Sequence, residues 1–374
     1  MKRLIAICFF LGVCQSPGFC QTPWLDSLRH QLKSAQYDTL RVMQMNVIGT
    51  TYMFQRPDSG IYYASKALSL ARATGFVQGE VDALRILAFS LRESGNHPIA
   101  LQINLKCLKI TEEHNLLHDK ALTLSQIGLT HNSAGDHPEA LDLLKEAKGM
   151  FDSIQDPSFS VMTQSRLIDT YRLMGQYDSA LYYSEIAINE FDMLQEKWPQ
   201  RGLFLAVGKV HKMTDNYPLA IQYLQKVIPK DTLSSITNYV SEAYYNLALI
   251  QRDLNNVDSS MHYLNRSLFN ALNRGHYPQI INAYRTMADI NESQDPVIAN
   301  KYNKLAIAYK DSLELMGKSV ALETFVEFDE LERQQELAAA EAEFQNQLRT
   351  NAFLGGSFTL IVIALLLYRS NSAK

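Results

Sequence analysis

The strongest constraint on the fold is a repeat of small side chains every forty residues. Six positions follow this spacing and hold Gly60, Ala100, Ala140, Ala180, Ala220 and Ser260. A second series lies seven residues further along and comprises Ala67, Cys107, Ala147, Ala187, Val227, Ser267 and, one residue short, Ala306. Because the side chains at a contact set the distance between packed helices, small residues at a fixed interval indicate close helix crossings. The pattern predicts an all-α chain built from repeated helical hairpins.

The two helices of each predicted hairpin are joined by a turn of recurring chemistry. Four turns read Gly95-Asn96-His97-Pro98, Gly135-Asp136-His137-Pro138, Gly175-Gln176-Tyr177-Asp178 and Asp215-Asn216-Tyr217-Pro218. Glycine tolerates the left-handed conformation in which many helices end, and proline fits the first turn of a helix. Asp215 and Asn255 replace the glycine in later repeats, and both residue types also tolerate that conformation. We therefore expect the repeat to continue through them.

Tyrosine recurs three residues after the small residue of the first series. The set is Tyr63, Tyr183, Tyr223, Tyr263 and Tyr302. Recurrence at one repeat position indicates packing rather than a site. We expect these rings to lie between neighbouring hairpins, with their hydroxyls reaching water.

These features resemble the tetratricopeptide repeat family over residues 39–310. The family pattern is carried by Leu87-Ala88 with Leu91, Gly95, Ala100 and Cys107, by Ile127-Gly128 with Gly135, Ala140 and Ala147, and by Leu167, Tyr171, Gly175-Gln176-Tyr177, Ala180 and Ala187. The resemblance implies a tetratricopeptide-type α-solenoid of about seven helical hairpins. Its period of forty residues exceeds the usual ~34 and implies longer helices.

Segments outside the repeat predict export and a membrane anchor. Residues 1–20 have the basic start and short apolar stretch of a cleaved signal peptide. A lipoprotein acylated at Cys14 or Cys20 is the alternative. Residues 351–368 are uncharged up to Arg369 and predict one transmembrane helix, followed by a cytoplasmic tail at 369–374. This topology predicts a single-pass inner-membrane protein with its repeats in the periplasm.

Two further helices are expected at the ends of the array. Residues 21–38 predict a capping helix, because Trp24, Leu25, Leu28 and Leu32 recur at helical spacing. Residues 311–350 predict a long helix whose first half packs on the last repeat and whose second half forms a capping or stalk segment. A coiled coil, and with it a homodimer through the stalk, is one alternative for this segment, and a single helix is the other.

The sequence argues against several classes of function. The formal net charge of -4 offers none of the basic excess that nucleic-acid binding needs. No phosphate-binding glycine loop, paired zinc histidines or nucleophile elbow is present in the sequence. We therefore predict a protein that is not an enzyme and uses no metal or other cofactor.

One series of charged residues suggests a binding site. Arg92, Arg172, Lys212 and Arg252 share one position near the end of the first helix of a repeat. The family resemblance implies that this helix lines a peptide-binding groove, where these cations with Arg85 and Lys209 would form a basic stripe for an acidic peptide or free carboxylate. The alternative is structural, because cations near helix carboxyl termini are favourable by a few tenths of a kcal/mol each.

The order of segments resembles the sensory half of bacterial tetratricopeptide sensor histidine kinases and membrane-bound transcription regulators, as in Bacteroidetes. That resemblance implies a sensory, protein-binding module followed by a kinase or DNA-binding domain. For this chain we expect a sensory module without its own output domain, which works through a separate kinase or regulator. A scaffold for envelope proteins tethered to the membrane is one alternative. An amino-terminal fragment of such a kinase is another.

Overall fold

The computed structural model describes residues 23–53, 56–229 and 238–315, together with residues 345, 347, 349 and 350. The chain divides into two compact units, Met1–Lys318 and Ser319–Lys374. The described part of the first unit contains fifteen helices and no strand. They are α1 (Pro23–Ser34), α2 (Asp38–Met53), α3 (Pro57–Thr74), α4 (Val77–Glu93), α5 (His97–Glu113), α6 (Leu117–Ala134), α7 (His137–Ser153), α8 (Pro157–Leu173), α9 (Tyr177–Met193), α10 (Gln200–Met213), α11 (Tyr217–Val227), α12 (Asn238–Asp253), α13 (Val257–Arg274), α14 (Tyr277–Asn291) and α15 (296–315).

The helices pair into hairpins, as the repeat predicts. Each even-numbered helix from α2 to α12 packs against the odd-numbered helix that follows it. In the last hairpin, Tyr284 of α14 stacks on Tyr302 of α15 with ring centroids 6.1 Å apart. These pairs make seven hairpins, and the prediction of an all-helical solenoid of about seven is confirmed.

The small residues of both series lie inside the hairpins. Ala180 and Ala187 are completely buried, and so are their equivalents in the neighbouring repeats. Two polar members satisfy their hydroxyls within the hairpin, because Ser260 Oγ donates to the carbonyl of Ala248 and Ser267 Oγ to that of Ser241. The forty-residue interval therefore marks the contacts that hold α12 against α13 and each earlier pair.

The turns have the predicted left-handed residue. Gly95, Gly135 and Gly175 have φ angles of 80°, 88° and 72°, and Asp215 and Asn255 reach 56° and 61°. The expectation that the last two residues replace glycine without ending the repeat is confirmed.

The recurring tyrosines pack inside hairpins, which corrects the expectation that they lie between neighbours. Tyr63 stacks on Tyr52 and Tyr183 on Tyr171, at centroid distances of 5.9 Å and 5.1 Å. In a hairpin, the end of the first helix faces the start of the second. A tyrosine three residues after the small residue of the second helix therefore meets a ring on the first helix of the same hairpin.

The ends of the array follow the sequence in part. Leu28 and Leu32 of the predicted capping helix pack against buried Ile48 and Tyr52 of α2. At the other end, α15 runs without a break through the expected boundary at 310/311. Across the described ranges, no helix is both long enough and apolar enough to cross a bilayer. The expected signal peptide, the stalk beyond residue 315 up to residue 344 and the membrane span at 351–368 lie outside the described residues.

Even-numbered helices form a continuous inner layer. Each packs on the next even-numbered helix, from α2 on α4 to α12 on α14. The layer curls on itself, since Glu93 at the end of α4 comes within 3.9 Å of His276 just before α14. The exposed side of this layer is called the groove below.

Candidate ligand-binding groove

All six cations predicted to line a groove lie on inner helices. Arg85 and Arg92 belong to α4, Arg172 to α8, Lys209 and Lys212 to α10, and Arg252 to α12. They lie on four helices of one layer, while α6 has the neutral Asn132 at the shared position. Their surroundings do not match the expected basic stripe, because most of these cations have carboxylate partners.

The cations of α4 are paired with acids of α4 and α6. Arg85 donates to Asp119 of α6 at 3.0 Å and to Asp82 of its own helix at 3.2 Å. Arg92 pairs with Glu93 at 2.6 Å and lies over the ring of Phe89. Since both guanidinium groups are largely covered and paired, they tie helices together and add little net positive charge to the groove.

Asp169 is the centre of a network between α8, α10 and α12. Its Oδ1 accepts from Arg172 Nε at 2.8 Å and lies 3.0 Å from Lys209 Nζ, which also donates to Glu242 at 2.9 Å. Burial alone would raise the pKa of Asp169, but Lys209 and Arg172 outweigh it and hold that pKa far below its usual range. Burial would likewise lower the pKa of Lys209, and its two carboxylates raise it above its usual value. The two cations and the two carboxylates of this network therefore neutralise one another.

Lys212 is different, since no carboxylate lies within ion-pair distance of it among the residues that the structure describes. Its Nζ donates to Asn246 Oδ1 at 2.9 Å. Burial, together with the nearby cations Arg172 and Lys209, lowers the pKa of Lys212 to about 8, although the more distant carboxylate of Asp253 acts in the opposite direction. Among the described residues, Lys212 therefore lacks the direct ion pair that the other five predicted cations have.

Arg252 closes the series at the edge of the groove. It pairs with the adjacent Asp253 at 3.1 Å, and its side chain is 42% exposed. An ion pair this exposed contributes about 0–1 kcal/mol and leaves the guanidinium open to water. Five of the six predicted cations thus have a carboxylate partner, so the groove is a mixed-charge surface rather than a basic stripe.

Arg166 of α8 is a groove cation that the sequence reasoning missed. Its Nη1 donates to Ser125 Oγ of α6, and burial lowers its pKa to about 10. Arg166 occupies the repeat position of Gln126 and Asn246, so no recurring charge pointed to it. The hint that the sequence did offer was a single charge at a position that neighbouring repeats fill with neutral residues.

The two edges of the groove meet between the second and seventh hairpins. Nε2 of His276 lies 3.9 Å from Oε2 of Glu93, and both side chains are less than a fifth exposed. The phenol of Tyr239, at the start of α12, also lies within electrostatic reach of Glu93 and Arg166. Helices distant in sequence therefore bound one curved cleft. In the described part of the chain, no group of three or more histidine, cysteine or carboxylate side chains is arranged to hold a metal ion.

Comparison with known proteins identifies this architecture. Residues 79–153 match the tetratricopeptide repeat family. The crystal structure of NprR in complex with its cognate peptide NprX is 15% identical, with a TM-score of 0.60 over 77% of this chain and 81% of that one. The Rap conjugation gene regulator of the plasmid pLS20, in complex with a Phr peptide, is 13% identical, with a TM-score of 0.56 over 78% and 84%. No curated protein matches this chain in sequence. At these identities the likeness shows the fold, a tetratricopeptide-like helical solenoid.

Proposed function

We propose that this chain is a protein-interaction module that binds an extended acidic peptide, or an acidic segment of a protein, along the groove. The observation that carries the proposal is Lys212, a half-buried cation with no carboxylate partner in the described part of the chain. Partly burying an unpaired charge costs free energy. A carboxylate brought by a ligand would supply the missing partner.

The surroundings of Lys212 favour an acidic ligand of limited charge. Arg172 and Arg166 lie on the neighbouring helix α8, while Asp169 and Glu242 occupy the same face. The resident carboxylates would repel a continuous row of phosphates, which argues against nucleic acid. A peptide can place one or two carboxylates beside the cations and leave the acids in contact with water.

The fold supports a peptide as the ligand. NprR and the pLS20 regulator, which share the solenoid architecture, were both solved with bound peptides. In this chain, the inner layer presents equivalent positions on successive helices about 8–10 Å apart. An extended segment can engage such positions one after another.

The proposed setting is the inner membrane, with the solenoid in the periplasm. This part of the proposal rests on the apolar stretches at residues 4–13 and 351–368. In that setting a ligand bound in the groove would signal through a separate kinase or regulator, with the chains paired through residues 311–350. A tethered envelope scaffold and an amino-terminal fragment of a sensor kinase are the competing functions.

The ligand proposal is tested by affinity capture with the full chain from detergent-solubilised envelope. The test variant carries Lys212→Gln and Arg166→Gln, and the matched control carries Lys301→Gln, on an exposed face of α15. We expect partners retained by the wild type and the control to be lost from the test variant. Equal retention by all three proteins would reject the groove as the binding site.

The identity of those partners separates the competing functions. An inner-membrane kinase or regulator would support the sensor, and assembly or transport proteins would support the scaffold. Membrane topology is checked separately with alkaline phosphatase fused after residue 350 or after residue 374. Activity in the first fusion alone is expected, and activity in both would contradict a membrane span between them.

A further inference from the structure

The last residues of the inner helices form a rim whose middle is apolar. These equivalent positions hold Glu93 in α4, Leu173 in α8, Met213 in α10 and Asp253 in α12, with Ser133 one residue before the end of α6. The position lies at the groove, because Ser133 Oγ accepts from Arg92 and Glu93 reaches across to His276. Leu173 and Met213 are 41% and 42% exposed. Two adjacent apolar side chains are therefore presented between polar ones.

Each of these apolar residues directly follows a groove cation. Leu173 follows Arg172, whose Nε is bound to Asp169, and Met213 follows Lys212, which has no ion pair within the described ranges. Helices α8 and α10 pack against each other, so the four side chains lie on neighbouring elements. Exposed apolar surface and a positive charge without a direct ion pair in the described ranges thus lie close together at the centre of the rim.

Resting on the proposed function, we propose that Leu173 and Met213 with Lys212 form one subsite, the 173/213 subsite, which selects a peptide segment carrying an apolar side chain next to a carboxylate. The apolar side chain would cover Leu173 and Met213, and the carboxylate would pair with Lys212. Methionine suits such a contact because its flexible thioether adapts to aliphatic and aromatic partners.

Charge complementarity favours this occupant over a second copy of the chain. The rim flanking the subsite carries Glu93 on one side and Asp253 on the other, both already paired with arginines. If a second copy docked through the same rim, its Lys212 and Arg172 would approach the same two cations of the first copy. A peptide with a carboxylate avoids that repulsion.

The test is selection of short random peptides displayed on phage against the full chain in detergent. Enriched peptides are expected to carry Asp or Glu within two residues of Leu, Ile, Met or Phe. Selection is repeated with Leu173→Ser plus Met213→Ser, with Lys212→Gln, and with Leu105→Ser, which alters a comparably exposed leucine on outer helix α5. The first variant should lose the apolar preference, the second the acidic preference, and the third neither.

A synthetic copy of one selected peptide then gives the size of the effect. The double serine variant should raise its Kd about tenfold, as expected for truncating central contacts of a small interface. Enriched peptides that bind the double variant unchanged would overturn the subsite and leave the proposed function standing. Failure to enrich any peptide would overturn the proposed function itself. Sedimentation that shifts to monomer only in the double variant, with peptide binding unchanged, would assign the rim to a second copy and reject the peptide subsite.

Discussion

Glu93 and His276 face each other across the groove, with Oε2 of one 3.9 Å from Nε2 of the other. Glu93 ends α4 of the second hairpin, and His276 precedes α14 of the seventh. Glu93 also binds Arg92 at 2.6 Å, so the contact joins His276 to the charged network of α4. Because four hairpins are stacked between these residues, their approach reports the curvature accumulated along the inner layer from α4 to α14.

If the two ends of the groove meet in solution, Glu93 and His276 should be energetically coupled. A double-mutant cycle with Glu93→Gln and His276→Gln, measured by urea unfolding, should give a coupling energy of about 0.2–1 kcal/mol. The uncoupled reference replaces His276 together with Glu80, which lies in the first turn of α4, at the opposite end from Glu93, and pairs with Arg72. Strict additivity of the first pair would mean that the groove is open at this point.

Removing the carboxylate of Asp169 should destabilise the fold by about 1–3 kcal/mol, since Arg172 and Lys209 lose a shared acceptor. The pKa of Asp169 lies below its usual value, so its charge stabilises the folded state above about pH 4, and the contribution is lost as the pH falls below that value. Unfolding curves of Asp169→Asn and wild type should therefore differ at neutral pH and converge in acid. Asp142→Asn, on an exposed face of α7, should match wild type throughout.

We predict that Lys212 serves ligand binding and lowers the stability of the folded state. Its pKa of about 8 in the folded state lies below the ordinary lysine value, so protonated Lys212 destabilises the fold below about pH 8, and the effect fades as the pH rises toward 10. Lys212→Gln, which retains a donor for Asn246, should raise the Tm at about pH 7 while weakening peptide binding. A purely structural lysine would give a lower Tm instead.

The same pKa predicts how binding depends on pH. An acidic peptide binds the charged form of Lys212, so affinity should fall as the pH rises through about 8. Lys212→Arg remains charged over this range and should flatten the profile without abolishing binding. Fluorescence anisotropy with a labelled selected peptide measures both proteins, and parallel profiles would contradict the role of Lys212.

Two glycines inside helices, one tightly packed and one open, should respond oppositely to replacement by alanine. At Gly208, a Cβ would lie 2.8 Å from Leu224 Cγ, so Gly208→Ala should cost about 1–3 kcal/mol through overpacking of α10 against α11. At Gly149 in α7 nothing lies within 4 Å of that atom, and Gly149→Ala should stabilise the helix by about 0.5–1 kcal/mol. Thermal unfolding measures both variants, and a neutral Gly208→Ala would contradict the close packing of Gly208 against Leu224.

The hairpin architecture could be predicted because its causes are local. Ala180 and Ala187 are buried where the forty-residue interval placed them, and Asp215 adopts the left-handed turn expected of a glycine substitute. The order of helices followed from this repeated unit, whereas the family resemblance implied which helix of each hairpin lines the groove. The tyrosines show its limit: their recurrence was clear, but whether Tyr183 meets its own hairpin or the next depends on how two helices are rotated about their axes.

The sequence by itself determined which residues repeat, where each hairpin turns and which helix carries the cations. Only the tertiary structure decided which of those charges pair between helices. Arg172 and Lys212 occupy one repeat position, yet Arg172 binds Asp169 while Lys212 meets the amide oxygen of Asn246. The first contact is local, because Asp169 lies three residues before Arg172 on α8, whereas the equivalent residue before Lys212 is Lys209. The second contact joins α10 to α12 and depends on the side chains that adjacent helices bring within about 4 Å. The pairing of Glu93 with His276 depends further on the summed rotation of successive hairpins, which no single repeat encodes.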